Sequence, residues 1–67
     1  MATTKIIASA NISLKLIGKT LIFCPHTENA RNVLIAYGLL EMVFSSRAIA
    51  LDALFYWANY LQEQGIA

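Results

Sequence analysis

At 67 residues the chain has room for one domain, residues 1–67, and a chain this short buries only ~60% of its unfolded surface. Hydrophobic residues make up 58% and charged residues 13%, roughly half the charged share of an average soluble domain, so the charges cannot coat the surface. The net charge of +1, with its five cations spread as Lys5, Lys15, Lys19, Arg31 and Arg47, leaves no basic tract for nucleic acid; one cysteine excludes an internal disulfide, and one histidine nearly excludes a structural metal within one chain.

Residues 5–17 alternate. Ile6, Ala8, Ala10, Ile12, Leu14 and Leu16 share one face; Lys5, Ile7, Ser9, Asn11, Ser13, Lys15 and Ile17 share the other, as in a half-buried strand. Gly18-Lys19 breaks the pattern. Glycine at the first central position predicts a type II′ turn into a return strand over 20–24. The register that follows pairs Ile17 with Thr20, Leu16 with Leu21, Lys15 with Ile22 and Leu14 with Phe23. Leu14, Leu16, Leu21 and Phe23 then lie on a single face, as a shared core requires. The first strand of this hairpin, 5–24, outruns the second. Residues 5–11 either bend at Asn11 or pair with another chain, since an unpaired apolar edge invites association.

Pro25 ends the return strand, and Thr27 is the predicted N-cap of helix A, over 28–44, with Glu28 at its positive end. From Val33 to Phe44 the only charge is Glu41. Val33, Ala36, Tyr37, Leu40, Val43 and Phe44 form one face and Ile35, Leu39 and Met42 the opposite one. A helix apolar all round is buried all round. Ser45-Ser46 supplies a break and a new N-cap for helix B, over 47–64, with Gly65 as its C′ residue. Matched lengths and a short connection predict an antiparallel pair. The expected fold is α+β, of ββαα order: an N-terminal β-hairpin packed on an antiparallel pair of helices.

Several stretches suggest chemistry. Gly18-Lys19-Thr20 looks like the end of a phosphate-binding loop, but position 13 is serine and a strand, not a helix, follows. Cys24-Pro25-His26 suggests a thiol–imidazole pair or half a metal site shared between chains; the simpler reading is a semi-buried thiol and an exposed loop histidine. Glu41 is either a rim glutamate within reach of Arg47 or a buried group that fixes oligomer register. Tyr37, Phe55, Tyr56, Trp57 and Tyr60 are a concentration of rings at helical spacing, core and interface anchor alike.

Ile12-Ser13-Leu14-Lys15-Leu16 resembles the groove-reading strand of ribbon–helix–helix DNA-binding proteins. Ser45-Ser46-Arg47 leading into residues 48–61 resembles the start of their second helix. The resemblance implies that two chains pair their strands into a ribbon in the major groove, with Asn11, Ser13 and Lys15 facing the bases. The chain departs from that family in its inserted second strand, residues 18–24. It departs also in its near-neutral charge, where DNA affinity rests mainly on neutralising phosphates.

The expectation is therefore a non-catalytic protein–protein interaction module, with no cofactor and no metal. It would be an obligate homo-oligomer or a small accessory or inhibitor protein on a larger partner; a dimeric DNA-binding regulator is the alternative. The expected interface residues are Ile7, Ile35, Leu39, Met42, Phe55, Tyr56, Trp57 and Tyr60. Its size would suit a phage or mobile-element protein. A short apolar run after Lys5 is no secretory signal, and Arg31, Glu41, Arg47 and Asp52 interrupt any ~18-residue apolar span, so a cytoplasmic location without a transmembrane segment is expected.

Overall fold

The computed structural model describes residues 4–66. Six elements follow in order: β1 (Thr4–Ala8), β2 (Ile12–Ile17), β3 (Thr20–Pro25), α1 (Glu28–Tyr37), β4 (Glu41–Val43) and α2 (Arg47–Glu63). The strands form one antiparallel sheet in the order β1, β2, β3, β4. The class is α+β as expected, but the order is βββαβα, not ββαα.

The hairpin of β2 and β3 has the register expected from its turn, Leu16 opposite Leu21 and Leu14 opposite Phe23. Gly18 has φ +61° while no described non-glycine residue has a positive φ, so Lys19 does not, in keeping with a type II′ turn. Leu14, Leu16, Leu21 and Phe23 are all buried, with Ile12 continuing the row.

Of the two expectations for residues 5–11, a bend at Asn11 or pairing with another chain, the chain takes the bend, so the long first strand is two strands. The chain reverses at Ser9, Ala10 and Asn11, where the Ser9 N–H donates to the Ile12 carbonyl at 3.0 Å. Serine and asparagine favour such turns because their side chains bond to nearby backbone. β1 then pairs with the free edge of β2, Ile7 opposite Leu14 and Lys5 opposite Leu16. Residues 4–8 thus find their partner within the chain. The reversal also exchanges faces. Ile7 joins the core side, and Ile6 and Ala8 move to the outside, opposite to the parity of an unbroken strand.

Helix A is also shorter than predicted. Thr27 caps α1 as expected, its hydroxyl accepting from the Ala30 N–H at 3.1 Å. The helix stops at Tyr37 because Gly38 takes the left-handed conformation at φ +73°. Its N–H donates to Ile35 and that of Leu39 to Leu34, the paired bonds of a Schellman ending. Leu39 lands in the core beside Leu34. The chain then runs extended as β4, Met42 opposite Leu21. Phe23 donates to the Leu40 carbonyl and Phe44 to that of Lys19, both at 3.0 Å. The all-round apolarity of residues 33–44 therefore belongs to a helix face and a strand. A Cβ at Gly38 would meet nothing within 4 Å, so Gly38→Ala carries backbone strain alone. It should lower the urea midpoint by an amount worth about 1 kcal/mol, with an unchanged slope.

Helix B matches its expectation to within one residue. Ser46 caps α2 by accepting from the Ile49 N–H at 3.3 Å, and Gly65 closes the far end at φ +71°. The helices do not form a hairpin of their own. α1 rests on β3, α2 rests on β2 and β3, and β4 lies between them in the chain. Ala30, Leu34, Leu39, Ala50, Leu54 and Leu61 join the inner residues of the sheet in one cluster. Both helices thus cover the same face, and no polar residue is buried among those described.

Candidate protein-interaction surface

Two helices on one face leave the other face of the sheet bare. Residues directly opposite in a ladder point to the same side, so the registers define its rows. One row holds Ile6, Lys15, Ile22 and Glu41; the next holds Thr4, Ile17, Thr20 and Val43; Ala8, Ser13 and Cys24 form a third. One-sided antiparallel sheets ordinarily put polar residues outward. Here Ile6 is 55%, Ile17 39% and Val43 68% exposed, with Ile22 half-buried between them. Lys15, Glu41, Thr4 and Thr20 alternate with them along the rows, so the four apolar residues neighbour one another on diagonals of the sheet. Lys15 and Glu41 are the charges in these rows, and they sit on either side of Ile22.

The interface residues expected from sequence do not converge. Leu39 is buried, and Ile7, Met42, Trp57 and Tyr60 pack against the core from the inside of the sheet or from α2. Ile35 on α1 and Phe55 and Tyr56 on α2 remain about half exposed, at 52%, 47% and 60%. Phe55 is covered in part by the Lys5 ammonium, 5.0 Å from the ring centre, an attraction between cation and ring face. Tyr56, Trp57 and Tyr60 form a ring cluster. Trp57 meets Tyr56 at 5.2 Å and Tyr60 at 5.5 Å edge to face, and Phe23 anchors it to the sheet at 6.2 Å. Tyr37 brings α1 against Tyr60 at 6.5 Å. Charge repulsion from Tyr37, then desolvation, their shared hydrogen bond and Tyr56 raise the Tyr60 phenol above its ordinary pKa.

The residues that suggested chemistry have structural duties. Cys24 is half-buried and His26 exposed, as the simpler reading has it. His26 shares a 2.6 Å hydrogen bond between Nε2 and the Ser13 Oγ, and its N–H donates to the Asn11 carbonyl at 2.7 Å. Both bonds fasten the corner after β3 to the start of β2. No group of three His, Cys, Asp or Glu side chains able to hold a metal occurs among the described residues. Arg47 does not turn to Glu41. Its Nη1 donates to the Gly18 carbonyl at 2.5 Å, tying the start of α2 to the β2–β3 turn. Glu41 is exposed on the outer face of β4.

The outer face was the surface that sequence reasoning passed over. Ile17 and Ile22 stand at outward positions of the predicted hairpin and were the available signal; Ile6 joins them through the bend at residues 9–11, one of the two expected alternatives, and Val43 only through the unpredicted helix end at Gly38. The ribbon implied by the resemblance needs residues 12–16 on a free edge, and β1 and β3 occupy both edges of β2. No helix among the described residues is long and apolar enough to cross a membrane. Compared with protein families, curated proteins and solved structures, the chain matches none.

Proposed function

We propose that this chain is a non-catalytic protein–protein interaction module, working as a homo-oligomer or as a small accessory or inhibitor protein on a larger partner. One observation carries the reading. A sheet face with Ile6, Ile17, Ile22 and Val43 stands uncovered in a chain whose residues are only 13% charged. Covering that face removes apolar area from water at about 25 cal/mol per Å2, a driving force that needs no reaction and no cofactor. The alternative, a DNA-binding regulator, would need a free β2 edge and a larger positive charge; nothing in the geometry favours it.

Light scattering coupled to size exclusion, over a concentration series reaching well above the micromolar range, tests the reading. The expected mass exceeds the 7.4 kDa of one chain and is insensitive to salt concentrations that would strip a protein from DNA. A folded chain that elutes as a clean monomer at every concentration removes the homo-oligomer half of the proposal. Retardation of duplex DNA that fades steeply with salt would replace it with the alternative.

A further inference from the structure

The outer face is complementary to itself. Its rows are arranged about β3, with β2 on one side and β4 on the other. A two-fold axis laid along β3, between two sheets packed face to face, sets β2 of one copy over β4 of the other. Lys15 then meets Glu41 of the second copy, and Glu41 meets its Lys15. In the neighbouring row Ile17 meets Val43. Ile22 and Thr20, on the axis, meet their own equivalents. Opposite charges thus fall on opposite charges and apolar residues on apolar ones, with no like-charge contact. A surface from an unrelated protein would have to be matched to this pattern; a second copy has the match by symmetry.

We infer that the outer face of the sheet seats a second copy of this chain in an isologous dimer, with Lys15 of each copy paired to Glu41 of the other across Ile22. This rests on the interaction-module reading and names its partner. Strands spaced ~4.8 Å and rising ~3.3 Å per residue give the face roughly 300 Å2 in plan, more over its side chains. Two such faces bury an area at the low end for specific complexes, below ~1,200 Å2. The dimer therefore dissociates on dilution through the micromolar range. β1 lies outside the overlap of β2 and β4, so Ile6 borders the interface.

Charge reversal tests the pairing. Lys15→Glu and Glu41→Lys should each weaken the dimer roughly a hundredfold, because each puts two like-charge contacts into a desolvated face. Mixing the two single variants restores both attractions at once, so a one-to-one mixture should dimerise like the wild type. That recovery also shows that each variant is folded. A second readout uses the single cysteine: Cys24 lies on β3, two residues from Ile22, so the two thiols face each other near the axis. A short bismaleimide should link the wild-type dimer covalently. A dimer that survives both reversals, or variants that do not recover on mixing, overturns this face while leaving the interaction-module reading standing. A wild-type chain monomeric at every concentration overturns this face and self-association together.

Discussion

Leu54→Ala should leave much of the protein unfolded at room temperature. Leu54 is fully buried at the middle of α2, within the cluster that contains Leu14, Leu16 and Leu21. Truncating such a leucine costs about 2–5 kcal/mol, from lost transfer free energy and the cavity left behind. A native domain holds only ~0.05–0.15 kcal/mol per residue, so the loss is comparable to the total for a chain of this length. Circular dichroism and urea unfolding read the outcome directly. A change below about 1 kcal/mol would mean that α2 does not rest on the sheet as described.

The same kind of deletion on the other side of the sheet should do something different. Ile17→Thr combined with Val43→Thr removes apolar surface but keeps β-branched side chains suited to strands. Both residues are exposed within one chain, at 39% and 68%, so the unfolding midpoint of the isolated chain should hardly move. In the paired arrangement each residue is used twice. Losing about 0.8 kcal/mol per methylene-sized group at four positions weakens dimerisation roughly a hundredfold. Dilution series followed by light scattering measure it. Loss of the fold, or an unchanged dimer, would show that Ile17 and Val43 serve the core or nothing. The two experiments together separate the surface that makes the fold from the surface that uses it.

What could be read from the sequence follows from how local each signal is. The β2–β3 register was legible because Gly18-Lys19 fixes the turn and the turn fixes which residues face each other. The caps Thr27 and Ser46 and the closing Gly65 were legible because each acts within one helical turn. The reversal at Ser9 to Asn11 was legible only as one of two alternatives, because Ile6 and Ile7, apolar on both parities, let the alternation run through the turn. Gly38 was hidden by the apolar residues on either side of it, which a helix buried all round would also show. Without β4 the outer face could not be assembled, because Glu41 and Val43 were assigned to a helix. The expected interface list accordingly gathered residues that tertiary packing separates, Leu39 into the core and Ile35 to an exposed flank of α1.

The turns of two and three residues that join β1, β2 and β3 let those strands zip together from nearest neighbours, with little loop entropy to overcome. On the ribosome this meander emerges before α1 and α2 and stands with both its sides in water. Its inner side is fully sheltered only when both helices, synthesised after it, have packed on the sheet and Arg47 at the start of α2 donates to the Gly18 carbonyl. Until then the nascent chain exposes the apolar residues of both faces of the sheet to neighbouring nascent chains. Expression at a slower rate or lower temperature, which spaces those newborn chains apart, should raise the yield of folded protein.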